Sequence, residues 1–213
     1  MDSTPASVWK TPEHALAYLN RADVIPHRPE GEAVLLDLIP AGAARILDLG
    51  SGSGRLVKLV RSGYPGAKAV ALDFSPPMLQ ALEASFGGDA SVTIVDHNLL
   101  QPLPDLGQFD AAVSSLAIHH LPHPRKRALY GEIYRTLAHG GVFLNLEHVS
   151  SPTSELHQFF LERYSSRRLR DDPSNIYLDV ETQLQWLREI GFTNVDCYWK
   201  WLELALIGGK KPA

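Results

Sequence analysis

Three glycines at alternate positions, Gly50, Gly52 and Gly54, directly follow the apolar segment from Ile46 to Leu49. A glycine has no Cβ and adopts positive φ readily, so such a loop turns tightly and lets the backbone approach a ligand. Its N–H groups would face a bound anion beside the positive end of the dipole of the helix that follows. The spacing therefore indicates a site for a nucleotide-like molecule.

The glycine spacing differs from two common nucleotide-binding fingerprints. The dinucleotide motif G-x-G-x-x-G needs its last glycine where this chain has Arg55. The phosphate loop G-x-x-x-x-G-K-[ST] needs a Lys-Ser or Lys-Thr pair, which does not follow here. A nicotinamide dehydrogenase is therefore the less favoured of the nucleotide-binding interpretations.

Asp48, two positions before the first glycine, completes a pattern that resembles the first motif of the class I S-adenosylmethionine-dependent methyltransferases. Further blocks in the same order resemble later motifs of that family: Ala71-Leu-Asp73-Phe-Ser75-Pro-Pro-Met78-Leu79, Ile94-Val-Asp96-His97, Phe109 to Leu121, and Gly140-Gly141 with Glu147-His148. His97 and His139 depart from the pattern, where a small residue and a proline are common. The resemblance covers roughly residues 44 to 148 and implies S-adenosylmethionine as the cofactor.

The resemblance implies a cofactor site built from the glycine loop and from the ends of three strands. Its residues would be Asp48, Gly50, Ser51, Gly52, Gly54, Asp73, Phe74, Met78, Asp96, His97, Ser114 and Ser115. In this arrangement Asp73 accepts hydrogen bonds from both ribose hydroxyls, and Asp96 accepts one from the adenine amino group. Ser114 and Ser115 would lie near the amino acid end of the cofactor. For Asp73 alone, capping of the next helix is the structural alternative.

Methyl transfer from a sulfonium is an in-line displacement, so the protein must hold the acceptor atom about 3 Å from the methyl carbon and exclude water. A hydroxyl or protonated amine must also lose a proton, for which histidine is suited at neutral pH. The candidate catalytic residues are His119, His120, His148 and Glu147. His119 is the first choice as base, with Glu147 as an orienting or basic carboxylate, while a structural role at a loop edge is the alternative for each histidine. We expect no metal, since adjacent histidines tend to point apart.

The acceptor site is predicted from residues near the two ends of the chain. Tyr18, Arg21 and Arg28 precede the first strand, where they could orient an anionic or polar acceptor or close over the cofactor carboxylate. Trp199 could line the same pocket. A plain amphipathic covering helix and ordinary strand packing are the alternatives for these two regions.

The composition argues against several classes of partner. With a formal charge of −4 and a pI of about 6.1, the chain lacks the basic footprint of a protein that grips nucleic acid broadly. It has one cysteine, Cys197, no basic-then-apolar leader and no apolar run long enough to span a bilayer, so we expect a cytoplasmic protein without a membrane partner. The predicted partner is a small-molecule methyl acceptor. The alternatives are a transfer RNA nucleoside methyltransferase and a non-catalytic protein that binds S-adenosylmethionine.

The order of apolar and helical patterns predicts an α/β fold with a doubly wound, mostly parallel, seven-stranded sheet and an antiparallel C-terminal strand. The predicted strands are Arg45–Leu49, Ala69–Asp73, Val92–Val95, Phe109–Ser114, Val142–Glu147, Thr193–Tyr198 and a final hairpin strand within Trp201–Ile207. The predicted helices are Pro12–Ala22, Pro29–Leu38, one from Arg55, one after Pro77 and Pro124–Leu137, which the pair Gly140-Gly141 would stop.

Two segments outside the core of the sheet are predicted as covers. Residues 1–40 form an N-terminal helical cover, and residues 41–213 form the methyltransferase domain. A helical insertion at 150–177, between strands five and six, is longer than one crossover helix needs and is interpreted as a lid. It contains four arginines that could also meet the phosphates of an RNA, Arg163, Arg167, Arg168 and Arg170, and beside them Asp171 and Asp172. A solvated surface insertion is the structural alternative.

Overall fold

The computed structural model describes residues 5–165 and 172–213 of the chain. Helices and strands alternate along this part of the chain. The helices are α1 (Pro12–Leu19), α2 (Arg28–Leu38), α3 (Arg55–Gly63), α4 (Pro76–Phe86), α5 (His123–Thr136), α6 (Ser154–Ser165) and α7 (Val180–Ile190). The strands are β1 (Arg45–Leu49), β2 (Lys68–Asp73), β3 (Val92–Asp96), β4 (Phe109–Ser115), β5 (Leu137–His148), β6 (Thr193–Trp201) and β7 (Leu204–Lys210).

The seven strands in the described residues form one sheet in the order β3-β2-β1-β4-β5-β7-β6. Strands β1 to β5 pair in parallel, whereas β7 is antiparallel to both β5 and β6. This confirms the predicted doubly wound, mostly parallel α/β sheet with an antiparallel C-terminal strand. The final strand of the hairpin, β7, lies between β5 and β6 and not at an edge of the sheet.

The connection order reverses between β1 and β4. From β1 the chain moves outward through β2 to β3, and it then returns to the other side of β1 as β4. Helices that follow these two halves cover opposite faces, so a crevice opens beyond the carboxyl ends of β1 and β4. The residues that follow these strand ends are therefore the ones that can meet a ligand.

Apolar layers on both faces hold the sheet rigid beneath this crevice. Leu47 and Leu49 of β1 pack with α5 residues such as Tyr130 on one face. Ile46, which points the other way, packs with Leu35 of α2 and Leu56 of α3. Burial on both faces explains why the central strands read as continuous apolar runs rather than as alternating ones.

The structure corrects the expected boundary between α5 and β5. The glycine pair was expected to stop the helix, but α5 already ends at Thr136 and both glycines lie within β5. Gly140 has φ +80°, and the pairing of β5 with β4 shifts register between Phe109 and Ala111. The glycines therefore allow an irregularity in the pairing of β5 with β4. At the N-terminus, α1 ends at Leu19, and a short 3₁₀ helix at Ala22–Val24 replaces its expected last turn.

Helices α6 and α7 lie between β5 and β6 in the sequence. Phe160 of α6 is fully buried and packs with Ile25, Leu116 and Leu204, so α6 lies close to the carboxyl ends of β4 and β5. Arg163 stacks on Phe159, with its guanidinium carbon 4.9 Å from the ring centroid. The other predicted charges Arg167, Arg168, Arg170 and Asp171 fall outside the described residues. The lid role of 150–177 stays a prediction. Of the helices in the described ranges, none is long and apolar enough to cross a membrane.

Candidate functional site

A cavity of about 910 Å³, counting space open to solvent, lies at the carboxyl edge of the sheet in the crevice between β1 and β4. Many of the residues that the sequence singled out line it: Tyr18, Arg28, Asp48, Gly50, Ser51, Gly52, Asp73, Phe74, Met78, His97, Ser115 and His120. Its size is that of a pocket for a whole cofactor rather than for a single anion.

The loop after β1 adopts the backbone conformation that its glycines allow. Gly50, Gly52 and Gly54 have φ of +70°, +55° and +83°. A Cβ at Gly50 would overlap the Cβ of Ala117, which lies on the opposite wall of the crevice. Gly54 does not line the cavity. A Cβ at this position would overlap the ring of Phe86 in α4. Gly54 is therefore required for packing of the loop against α4, not for contact with the ligand.

Asp73 ends β2 and holds the glycine loop through its carboxylate. One oxygen accepts a hydrogen bond from the Gly52 N–H at 2.8 Å, and the other accepts from the N–H groups of Phe74 and Ser75 at 2.8 and 2.9 Å. Burial raises the pKa of the Asp73 carboxyl, although these backbone donors oppose the shift. The carboxylate lines the cavity at the point where a ribose would meet the loop.

Asp48 is a buried carboxylate without a partner. Its side chain is 2% exposed, and neither oxygen has a hydrogen-bond partner among the described residues. Burial raises the pKa of the Asp48 carboxyl to about 7, and the negative charge of Asp73 adds to the shift. An unpartnered carboxylate that lines a cavity is costly unless a ligand supplies the missing donor, so Asp48 fits a cationic group.

Arg28 of α2 brings a cation into the same cavity. It donates from Nε to Glu32 at 2.8 Å, from Nη2 to the Ser115 hydroxyl at 3.1 Å, and from Nη1 to the Tyr18 hydroxyl at 3.2 Å. These bonds fasten the N-terminal helices to the end of β4. Arg28 and Asp48 place opposite charges in the wall of one cavity, which fits a ligand with a carboxylate and an ammonium, such as an amino acid.

A second cavity of about 420 Å³ adjoins the first and shares Trp9, Tyr18, Leu116 and His120 with it. Its lining contains three predicted site residues that the first cavity lacks, Arg21, His119 and His148, and also Asp172 from the charged residues of 150–177. The structure thus separates the predicted residues into a larger cavity with the glycine loop and a smaller one with the histidines. Such a pair of joined cavities can hold two molecules side by side.

His119 and Glu147 form a buried pair behind the second cavity. Glu147 Oε1 lies 2.7 Å from His119 Nδ1 and also accepts from the backbone N–H groups of His119 and His148 at 3.1 and 3.0 Å. Asn145 Nδ2 donates to the other oxygen at 3.0 Å. Burial by itself raises the pKa of the Glu147 carboxyl, but the His119 imidazole, Lys126 and Asn145 outweigh burial and lower it to about 2.

This hydrogen bond determines which nitrogen of His119 can act as a base. Glu147 is ionised at neutral pH and can only accept, so the proton of a neutral His119 must be on Nδ1. The lone pair is then on Nε2, on the far side of the ring from Glu147. A carboxylate placed in this way fixes the tautomer and stabilises the imidazolium after proton uptake.

His120 belongs to a different hydrogen-bond chain. The Ser174 hydroxyl donates to Asp172 at 2.6 Å, so it accepts from His120 Nδ1, which lies 2.9 Å away. Burial and the neighbouring His119 lower the pKa of His120 well below its usual value, so it is neutral at neutral pH. Asp172 also pairs with Arg21 Nη2 at 3.0 Å and with His14 Nε2 at 3.1 Å. His120 therefore lies in the wall that the two cavities share, with its Nδ1 engaged by Ser174.

His148 lies beside a second buried carboxylate. Its Nε2 is 3.4 Å from Glu203, which is fully buried, and Glu203 also pairs with His157 of α6 at 2.8 Å. The Glu203 carboxyl has a lowered pKa: burial opposes ionisation, but hydrogen bonds from His148, Ser151 and His157 prevail. The pairing of His157 with Glu203 attaches α6 to the sheet next to the second cavity.

Some predicted residues line neither cavity. Asp96 is exposed at the end of β3, level with Asp73, and its adenine contact stays a prediction. The Ser114 hydroxyl donates to the Leu49 carbonyl at 2.8 Å and so ties β4 to β1. Trp199 of β6 packs against Gly31 of α2, as ordinary strand packing would have it.

Several lining residues were not predicted from the sequence as contacts of a ligand. In the first cavity these include Trp9, Asn98, Leu99 and Ala117, and in the second Tyr164, Asp172, Asn175 and Leu204. Trp9 donates to Ser174, 165 positions away, which no local pattern could reveal. Within the ranges that the structure describes, no group of three or more His, Cys, Asp or Glu side chains is arranged to hold a metal ion.

Known proteins resemble this chain in sequence. Residues 46–141 match the family described as methyltransferase domain. The malonyl-[acyl-carrier protein] O-methyltransferase of Paenibacillus sp. (strain JDR-2) is 29% identical over 160 residues, which are 72% of this chain and 56% of that protein. The demethylmenaquinone methyltransferase of Thermus thermophilus is 36% identical over 110 residues, which are 51% of this chain and 49% of that protein. The chain spans about half the length of these curated relatives.

A solved structure shares the fold over the whole chain. The O-methyltransferase family protein from Burkholderia thailandensis superposes with a TM-score of 0.77 at 18% identity, covering 100% of this chain and 64% of that one. At such low identity the likeness establishes the arrangement of helices and strands and nothing finer.

Proposed function

Since the chain belongs to the class I S-adenosylmethionine-dependent methyltransferases, we propose that it transfers a methyl group to an oxygen or nitrogen atom of a small molecule. The observation that carries this proposal is the contact of 2.7 Å between Glu147 and His119, a histidine that lines a cavity adjoining a cofactor-sized one. S-adenosylmethionine supplies a methyl group on a sulfonium, which an acceptor atom displaces in line.

The larger cavity fits the cofactor in three places. In the proposal, Asp73 accepts from the ribose hydroxyls while it holds the loop at Gly52. The unpartnered carboxylate of Asp48 receives the ammonium of the methionine part, and the guanidinium of Arg28 receives its carboxylate. Of the two roles expected for the N-terminal stretch, Arg28 thus has the second: it binds the cofactor carboxylate and does not orient the acceptor.

The smaller cavity is the proposed acceptor site. There His119 Nε2 takes the proton of the acceptor hydroxyl or amine, and the ionised Glu147 stabilises the resulting imidazolium. His120 and His148 shape the walls beside it. Helix α6 and the N-terminal helices cover this side of the sheet and would exclude water, the role that the lid interpretation gives to residues 150–177.

The choice between a small molecule and transfer RNA can be tested by the fate of a labelled methyl group. The protein is incubated with tritium-methyl S-adenosylmethionine and equal portions of total transfer RNA and of a metabolite extract. We expect label in the metabolite fraction, because the second cavity, at about 420 Å³, is of small-molecule size and the chain carries a formal charge of −4. Label that is retained on RNA at low salt and lost as salt rises would contradict the proposal.

A second prediction concerns the pH dependence of cofactor binding. Because the pKa of Asp48 is raised to about 7, its carboxyl is largely neutral at pH 6 and ionised at pH 8. An ammonium attracts only the ionised form, so affinity for S-adenosylhomocysteine should rise with pH across this range, by at most about tenfold per pH unit. Calorimetry in buffers of different ionisation enthalpy should detect up to about one proton released per ligand bound near pH 6.

Two variants separate Asp48 from other titrating groups. Asp48→Asn should bind S-adenosylhomocysteine more weakly at pH 8 and lose most of the pH dependence. Asp37→Asn, an exposed carboxylate on α2, is the matched control and should behave like the unmodified protein. A pH dependence that survives in Asp48→Asn would show that another group receives the ammonium.

A further inference from the structure

We infer that the acceptor is an uncharged, planar aromatic molecule that presents a phenolic hydroxyl to His119 in the second cavity. The inference rests on the proposed function and names the class of molecule on which it acts. Four features of the second cavity carry it: its ring-bearing walls, its charges, the presence of a base and its size.

Ring-bearing side chains form half of the lining of the second cavity. They are Trp9, Tyr18, His119, His120, His148 and Tyr164. The rings lie against one another, with centroids 5.2 Å apart for Trp9 and Tyr18 and 4.1 Å apart for His119 and His120. Aliphatic side chains of Ile25, Leu116 and Leu204 form a further quarter of the lining, and the polar residues Arg21, Asp172 and Asn175 form the rest. Flat ring faces and aliphatic surface favour a planar aromatic guest, which gains both from area burial and from offset stacking.

The charges around the cavity disfavour an anionic acceptor. Arg21, the guanidinium in the lining, pairs with Asp172 at 3.0 Å, so its charge is compensated. Behind the histidines lie Glu147 and Glu203, both fully buried and both with lowered pKa. A carboxylate or phosphate group would lose its hydration and face these two negative charges. A cationic guest is also unfavoured, since Glu147 and Glu203 do not line the cavity and Asp172, the carboxylate that does, is already paired with Arg21 and with His14.

The presence of a base limits which functional group of the acceptor can react. A carboxylate acceptor is already nucleophilic, and it would need neither His119 nor the ionised Glu147 that steadies it. An aliphatic alcohol is far too weak an acid for transfer of its proton to an imidazole to be favourable. A phenol, with a pKa of about 10 in tyrosine, lies much closer to histidine, so general-base catalysis is effective on it. The size of the cavity, about 420 Å³ with open space included, suits one or two fused rings.

The test uses matched probes that differ only in the reacting group. Methyl transfer is measured with 7-hydroxycoumarin, 7-aminocoumarin and coumarin-7-carboxylate, and with the hydroxyl, amino and carboxyl derivatives of toluene. We expect kcat/KM for the hydroxyl probe of each set to exceed that of its carboxylate partner by at least about tenfold, because a buried uncompensated charge costs more than 1.4 kcal/mol. A carboxylate or amine probe that reacts faster than its phenol would overturn the inference.

A spectroscopic signature tests the role of His119 without turnover. The phenolate of 7-hydroxycoumarin has its own excitation band, so proton transfer to the protein is visible when the probe binds. With S-adenosylhomocysteine present and at a pH below the pKa of the free probe, we expect binding to increase this band. His119→Gln should abolish the increase, whereas His139→Gln, an exposed histidine at the opposite end of β5, should retain it.

Failure of the inference differs from failure of the proposed function. If the protein binds S-adenosylhomocysteine but neither phenol binds or reacts, the aromatic hydroxyl is the wrong acceptor class and the methyltransferase proposal stands. If calorimetry shows no binding of S-adenosylhomocysteine, the proposed function itself is wrong and the acceptor inference falls with it.

Discussion

Replacing Asp73 by asparagine should weaken the binding of S-adenosylhomocysteine up to about a hundredfold, because the amide keeps one acceptor oxygen and the loss of one hydrogen bond from ribose to a charged acceptor costs about 1.5–3 kcal/mol. Calorimetric titration measures the loss directly. Asp73→Ala should abolish detectable binding, since the alanine variant also removes the acceptor for the Gly52 N–H and loosens the glycine loop. Both variants should keep the fold, because Asp73 is at the carboxyl edge of β2 and not within the apolar layers.

The ribose contact and the loop contact of Asp73 can be told apart with a modified ligand. The unmodified protein should prefer S-adenosylhomocysteine over its 2′-deoxy analogue, and Asp73→Asn should lose most of that preference. Asp89→Asn, at an exposed turn before β3, is the matched control and should bind like the unmodified protein. If the asparagine variant weakens both ligands equally, the carboxylate acts through the loop alone and the ribose assignment is wrong.

His119→Ala should lower kcat by about 10²–10⁴-fold, the usual contribution of a positioned general base. The dissociation constant of S-adenosylhomocysteine should change little, because His119 lines the second cavity and not the first. Single-turnover kinetics with a reactive phenol and calorimetry with S-adenosylhomocysteine give the two quantities separately. His139→Ala serves as the control, with unchanged kcat.

Glu147→Gln probes the positioning of His119 rather than proton transfer itself. The amide oxygen can still accept from His119 Nδ1, so the tautomer is kept while the charge that stabilises the imidazolium is lost. We expect a smaller fall in kcat than in His119→Ala, with KM for the acceptor nearly unchanged. Full activity of His119→Ala would remove the base from the mechanism. Binding of S-adenosylhomocysteine without methyl transfer to any acceptor, in the unmodified protein, would favour the non-catalytic alternative.

The cofactor half of the site was largely predictable because its residues follow one another in the order of the strands. Gly50, Gly52 and Asp73 come from two adjacent strand ends that lie side by side in any parallel sheet of this type. The exceptions are physical. Gly54 is needed for packing against α4, and the Ser114 hydroxyl donates to a backbone carbonyl. In the sequence, such structural roles look the same as contact with a ligand.

The proposed acceptor half of the site is predictable only in part. His119 and Glu147 were recognised as a possible base and its orienting carboxylate, and the structure places them in contact because β4 and β5 pair in parallel. The remaining contacts join remote parts of the chain, as when Asp172 meets Arg21 across 151 positions. Periodicity and spacing carry no information about such pairs, so Trp9 and Asp172 were not assigned to the site.

Asp172 connects the N-terminal helices to the histidine side of the site, which affects how substitutions act on the two cavities. His14 and Arg21 from the N-terminal helices, and His120 through Ser174, all depend on this one carboxylate. Asp73 instead accepts from the backbone N–H groups of Gly52, Phe74 and Ser75. Trp9 links the two regions, since it donates to Ser174 and its carbonyl accepts from the Ser75 hydroxyl. We therefore expect substitutions around Asp172 to alter the proposed acceptor cavity more than the proposed cofactor site.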